Sequence, residues 1–128
     1  MKKKKKVFLI ILGAFLLIIA GFLVFLSTGL NLKNAAIKNV DISSIPDGTY
    51  TGEISGNRFG NKLEATVSGG RIVDIRIVND MAIAVPDVSS KIFAKVLESQ
   101  SLQIDSVSGA TVTSKAYLKS LENALDLN

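Results

Sequence analysis

The fold is decided by the stretch KLEATVSGGRIVDIRIV, residues 62–78. Apolar and polar residues alternate on both sides of residues 68–71, which is the pattern of two half-buried strands. Glycine at the centre supplies the positive φ that a tight hairpin turn requires. The stretch therefore predicts an antiparallel hairpin. Its inner faces are expected to consist of Leu63, Ala65 and Val67 on one strand and Val73, Ile75 and Ile77 on the next.

A further strand is predicted just upstream, over residues 49–55. Pro46-Asp47-Gly48 is a strong turn signal before it, and Tyr50, Gly52 and Ile54 alternate with polar residues within it. Residues 56–61 are interpreted as a hairpin loop. Three strands joined by hairpins make an antiparallel meander.

The apolar period changes after the third strand. Ser89 and Ser90 are candidate N-caps for a helix that carries Ile92, Phe93, Val96 and Leu97. Residues 102–107 are a candidate short extended segment. A last helix is predicted from about Ser114 to Leu125, with an apolar stripe of Tyr117, Leu118, Leu121, Ala124 and Leu125 and with Lys115, Lys119, Glu122 and Asn123 facing water. Strands followed by helices predict an α+β fold, with the C-terminal helices packed on one face of a small antiparallel sheet.

The N-terminus has the composition of a membrane anchor. Lys2 to Lys6 precede an unbroken apolar run over residues 7–26, and about 20 helical residues span a ~30 Å hydrocarbon core. Positive charge before the run predicts a cytoplasmic N-terminus and an extracytoplasmic remainder. A cleaved signal peptide is the alternative, but its apolar region is usually shorter, about 7–15 residues. The predicted organisation is a basic terminus (1–6), one transmembrane helix in the cell membrane (7–26), a stalk (27–45) and an exterior domain (46–128).

Composition restricts the chemistry that this chain can perform. It contains no Cys and no His, which excludes disulfides, thiolate metal sites and histidine bases. Five of the fifteen basic residues lie in residues 2–6, so the net charge of +4 is not spread as a basic stripe and nucleic acid is not an expected partner. Any redox or hydrolytic chemistry must come from carboxylates, hydroxyls or a bound cofactor.

The chemistry-bearing segment is SGATVTS, residues 108–114, with Asp105 upstream. Gly109 and Ala110 are small enough for a planar ligand to lie against the backbone. Thr111, Thr113 and Ser114 are hydroxyls at the predicted start of the last helix. They are suited to cap its N–H groups, and those N–H groups are also suited to bind a phosphate. The residues alone leave both interpretations open.

Three segments together resemble the FMN-binding domain family, which has members in the Na⁺-translocating NADH:quinone oxidoreductase and in the Rnf complex. The segments are residues 47–52, 70–75 and 100–114, and the resemblance covers residues 46–127. It implies FMN joined through its phosphate to Thr111, with Thr113 as the fallback acceptor and Ser108, Gly109, Ala110 and Ser114 as cofactor-binding neighbours. It also implies maturation by a separate FAD-dependent, Mg²⁺-requiring flavin transferase that recognises Asp105, Ser108, Gly109, Ala110 and Thr111.

The function implied is that of a membrane-anchored carrier that passes electrons between a membrane donor and an external acceptor protein. Ring contacts are expected among Tyr50, Phe59, Met81, Val107 and Tyr117. Larger family members carry an insertion that helps cover the flavin where this chain has only residues 79–88, so an exposed flavin is expected. Two alternatives stay open: a cell-surface binding or structural module without flavin, and a reductase with its own substrate, for which no convincing proton-donor set is present.

Overall fold

The computed structural model describes residues 1–27, 32, 35–55 and 58–127. Its elements are helix α1 (Lys2–Ser27), a 3₁₀ turn (Ile42–Ser44), strands β1 (Gly48–Ile54), β2 (Asn61–Ser68) and β3 (Arg71–Asn79), and helices α2 (Pro86–Ser99) and α3 (Thr111–Leu125). The three strands form one antiparallel sheet in the order β1-β2-β3. The α+β class and the meander predicted from the sequence are confirmed. The predicted loop residues 56 and 57 lie outside the described part.

The inner face of the sheet follows the predicted alternation on β1 and β2. Leu63, Ala65 and Val67 are buried, and Gly52 lies opposite Leu63 across the β1–β2 ladder. On β3 the prediction for Val73 is wrong, because this side chain is 56 % exposed while Ile72 is buried. A register shift is the reason: Thr66 pairs with Asp74 but Val67 pairs with Ile72, so Val73 is an extra residue in a β-bulge.

Helix α3 packs across the inner face of the sheet, and its predicted apolar stripe is buried. Gly52 permits the close approach, since a Cβ built there would lie only 2.1 Å from the carbonyl oxygen of Ser120. Glu122 does not face water as predicted. It is buried, and its carboxylate accepts hydrogen bonds from the Lys38 N–H at 3.2 Å and from the Lys119 ammonium at 3.1 Å.

Helices α2 and α3 both begin earlier than predicted. Pro86 occupies the first turn of α2 and Val85 is its N-cap residue; proline suits that position because its φ is already helical and it lacks an N–H. Ser89 and Ser90 are therefore not N-caps, and the Ser89 hydroxyl donates to the Pro86 carbonyl at 3.0 Å inside the helix. Residues 102–107, the candidate extended segment, belong to no helix or strand.

Helix α1 is long and apolar enough to cross a membrane, with a mean hydropathy of 3.1 and no buried residue. A secretion signal has the same properties. Within the predicted stalk, residues 28–31 and 33–34 lie outside the described part. Ile42 and Ile45, near the end of the same segment, are buried in the core of the domain. The domain boundary at residue 46 stays a prediction.

Candidate functional site

A tight turn comes directly before α3. The N–H of Ala110 donates to the Val107 carbonyl at 2.9 Å, and Gly109 has a φ of +76°. This is the left-handed region that glycine adopts without strain and that the third residue of a type II turn requires. Ser108 and Gly109 are exposed at the tip. The glycine of the motif is therefore a requirement of the turn.

The first residue of α3 is Thr111, and Ala110 is its N-cap residue. Alanine has no polar side-chain atom, so it cannot satisfy the N–H groups of the first turn. The interpretation of Thr111 or Thr113 as the N-cap is wrong, because both lie inside the helix. The exposed Thr111 side chain thus lies at a helix N-terminus where no side chain caps the backbone N–H groups. The positive end of the helix dipole lies at the same place.

A cleft of about 530 Å³ opens at this helix start. That volume lies within the ~300–1,000 Å³ range of ordinary small-molecule sites. Three segments line the cleft: the β1–β2 loop, the β3–α2 loop and the beginning of α3. The lining residues are Arg58, Phe59, Ile83, Val85, Gly109, Ala110, Thr111, Val112 and Thr113. The Ala82 N–H donates to the Arg58 carbonyl at 3.3 Å and joins the first two segments.

The side chains that line the cleft are apolar apart from one cation and the two threonine hydroxyls of α3. Ile83 is 64 % exposed and Val85 is 47 % exposed, although both are large aliphatic residues. Arg58 is the one charged residue among the described residues that line the cleft. Its guanidinium carbon lies 4.6 Å from the ring centroid of Phe59 and 5.3 Å from that of Phe25. Its Nε is buried and has no hydrogen-bond partner within the described structure.

The structure brings four of the predicted site residues together in the cleft: Gly109, Ala110, Thr111 and Thr113. Ser108 lies beside them at the tip of the turn, outside the lining. Ser114 is fully buried, and its hydroxyl bonds to the backbone of residues 107 and 110. Asp105 is exposed in a separate groove, where its carbonyl accepts a hydrogen bond from the Lys95 ammonium at 3.3 Å.

Of the five expected ring contacts, Phe59 lines the cleft and the others are packed elsewhere. Met81 and Tyr117 are core residues and Val107 packs against the core, while the Tyr50 hydroxyl donates to the Pro46 carbonyl at 2.6 Å.

Burial raises the pKa of the Tyr117 phenol well above its usual range, and a hydrogen bond to Asp80 at 2.7 Å acts in the same direction. Among the described residues, no group of acidic side chains could hold a metal ion.

Sequence reasoning missed Arg58, Ile83, Val85 and Val112 as cleft residues. A signal was present for two of them: Met81-Ala82-Ile83-Ala84-Val85 is apolar but has no strand-like or helical polar face. Apolar residues in a connecting segment with no obvious core position are typical of ligand-binding loops. No comparable signal distinguishes Arg58 from the other basic residues.

Comparison with known proteins gives a family and a relative. The model of the FMN-binding domain family matches residues 59–126. NADH:acrylate oxidoreductase from Vibrio harveyi is 34 % identical over 103 residues, which cover 75 % of this chain and 10 % of that protein. The chain thus spans about a tenth of the length of this relative.

Proposed function

Because this chain belongs to the FMN-binding domain family, we propose that it carries FMN as a phosphoester on Thr111 and transfers electrons between redox partner proteins. The observation that carries the proposal is the position of Thr111. This residue is exposed, it is the first of α3, and it lines the cleft of about 530 Å³. A phosphate on its hydroxyl would lie at the N-terminus of a helix, which favours negative charge.

The residues of the cleft suit the cofactor. Phe59, Ile83 and Val85 offer apolar surface to a planar ring, and the uncapped N–H groups at the start of α3 offer donors to the phosphate. Bound FMN would supply a ring that takes up and releases electrons. The chain itself would hold that ring, exclude part of the water around it and keep it at the protein surface.

A carrier role fits these residues better than a stand-alone reductase does. The chain has no His and no Cys, and the described lining of the cleft contains no Asp or Glu that could give a proton to a substrate. The β3–α2 connection comprises only residues 80–85. So short a loop leaves little material to enclose a substrate, whereas a partner protein can approach an open cleft.

We also propose a membrane topology and a route of maturation for this chain. Helix α1 serves as an uncleaved anchor in the cell membrane, with Lys2 to Lys6 in the cytoplasm and the domain outside. A separate FAD-dependent flavin transferase attaches the cofactor after recognising Asp105 and the SGAT segment. Covalent attachment would keep the flavin on an exterior protein where a weakly held cofactor would be lost by dilution.

The attachment is tested on the full chain, produced with and without a flavin transferase and separated on a denaturing gel. Flavin fluorescence is expected to stay with the wild-type polypeptide and with Thr113→Val, and to disappear in Thr111→Val. Thr113→Val is the matched control, since it removes a hydroxyl from the same cleft. Fragmentation mass spectrometry of the peptide that contains residues 105–115 identifies the modified residue. A wild-type chain without flavin beside an active transferase would favour the non-flavin surface module.

The orientation is tested by labelling a single introduced cysteine, because the chain has no native cysteine. Ser90 is exposed in α2, so Ser90→Cys creates a single accessible thiol. A membrane-impermeant maleimide is expected to label this variant in intact cells. Labelling that requires lysis would place the domain in the cytoplasm and contradict the proposed topology.

A further inference from the structure

We propose that Arg58 anchors the cofactor by pairing its guanidinium with the phosphodiester that joins FMN to Thr111. This inference rests on the proposed function and adds a residue that lies before the family match, which begins at residue 59. It concerns the phosphate of the cofactor and not its ring.

Charge balance favours a cation beside this phosphate. A phosphate that is esterified on two sides retains one negative charge, and here it would stand in a cleft bordered by Phe59, Ile83 and Val85. A charge beside apolar surface is stable only when it is paired and hydrogen-bonded. The helix N-terminus contributes partial charge, and Arg58 contributes the one full positive charge among the described lining residues.

An unpaired donor on Arg58 points to the same ligand. The Nε of Arg58 is buried and has no hydrogen-bond partner within the described structure. A buried donor without an acceptor destabilises the protein unless a ligand satisfies it. Phosphate oxygens are strong acceptors, and the planar fork of a guanidinium matches them in a bidentate pair.

The side chain of Arg58 is held in place before any ligand arrives. Its guanidinium lies over the Phe59 ring at 4.6 Å, and its carbonyl accepts the Ala82 N–H at 3.3 Å. Stacking on an aromatic face restricts a long side chain and leaves its N–H edge available. A side chain ordered in advance loses less entropy when it pairs with an anion.

The experiment uses the full chain in detergent micelles, loaded with flavin by a co-expressed transferase. Arg58→Gln is compared with wild type and with Arg76→Gln. Arg76→Gln is the matched control, because it removes the same charge from an exposed ion pair in which the Arg76 guanidinium lies 2.7 Å from the Glu64 carboxylate. The ³¹P resonance of the phosphodiester and the midpoint potential of the flavin are measured. In Arg58→Gln the ³¹P resonance is expected to move toward its position in the denatured protein while the potential stays unchanged; Arg76→Gln should alter neither.

A second measurement leaves Arg58 intact in case its replacement prevents folding. The Nε–H resonance of Arg58 is compared between loaded wild type and Thr111→Val, and a downfield position only in the loaded chain is expected. An unchanged Nε–H or ³¹P resonance would overturn the inference. So would a fall in potential without a ³¹P change, since that assigns Arg58 to the ring. Failure of the proposed function is distinct, because the wild-type chain would then carry no flavin at all.

Discussion

The hydroxyl of Ser114 accepts a hydrogen bond from the N–H of Val107 at 3.1 Å. The same hydroxyl donates to the carbonyl of Ala110 at 2.6 Å. Val107 and Ala110 are the two ends of the turn before Thr111, so the Ser114 hydroxyl in the first turn of α3 braces the turn that precedes Thr111. In the described structure the Ser114 side chain therefore bonds to backbone atoms at both ends of this turn.

Ser114→Ala is therefore expected to lower the free energy of unfolding by about 1–2 kcal/mol. The loss of the acceptor leaves a partly buried Val107 N–H unpaired, at about 1–3 kcal/mol, and the better helix propensity of alanine returns about 0.5 kcal/mol. Urea unfolding of the full chain in micelles measures the change. Ser90→Ala, at an exposed position of α2, is the control and should be neutral or slightly stabilising. An equal effect of both substitutions would contradict the bracing role.

Gly52→Ala is expected to be far more damaging than its size suggests. The new Cβ would lie 2.1 Å from the Ser120 carbonyl oxygen and 2.3 Å from the Ala124 nitrogen, both of them backbone atoms of α3. Helix and strand must separate, at an expected cost of about 3 kcal/mol or more, which is the upper range for overpacking a core. Unfolding by urea is again the measurement.

The control for that substitution is Gly13→Ala in the apolar helix α1, where a Cβ meets nothing within 4 Å. Wild-type stability of Gly52→Ala would mean that α3 does not lie against β1 as closely as the structure has it.

Local pattern predicted the sheet because alternation is a property of each strand alone. The inner faces of β1 and β2 need only the period of two. The bulge at Val73 could not be predicted, since it depends on how β3 pairs with β2. The same holds for Gln100, whose amide bonds to both the N–H and the carbonyl of Ile72 although the residues are 28 positions apart. Contacts between distant parts of the chain cannot be predicted from the local alternation of residues.

The candidate site also has one part that the sequence predicts and another that only the fold creates. Residues 109–111 and 113 were predicted because a short motif places small residues and hydroxyls next to one another along the chain. The rest of the cleft comes from two loops that the fold brings to the start of α3. Arg58 and Ile83 are 25 positions apart in sequence, yet both line the cleft, and a hydrogen bond from the Ala82 N–H to the Arg58 carbonyl joins their loops.

The buried phenol of Tyr117 is expected to make stability depend on alkaline pH. Burial raises its pKa in the folded protein, and the hydrogen bond to Asp80 at 2.7 Å raises it further. In the unfolded chain the phenol titrates near pH 10. A folded-state pKa above the unfolded one gives a contribution that is complete below about pH 10 and declines as the pH rises beyond it.

Tyr117→Phe tests this contribution, since it retains the ring that packs edge-on against Phe93 at 5.5 Å and removes the titrating group. The free energy of unfolding is measured between pH 7 and pH 11. At neutral pH the variant should be about 1–2 kcal/mol less stable, because a hydrogen bond to a carboxylate is lost. Above about pH 10 the difference from wild type should shrink, because the wild type then loses the stability that its neutral phenol contributed.

Tyr50→Phe is the control, because it removes a hydroxyl that donates to a backbone carbonyl near the surface. Its stability should decline with pH as that of the wild type does. A constant difference between Tyr117→Phe and wild type across the whole range would mean that the phenol titrates equally in both states, and hence that Asp80 and burial leave its proton unprotected.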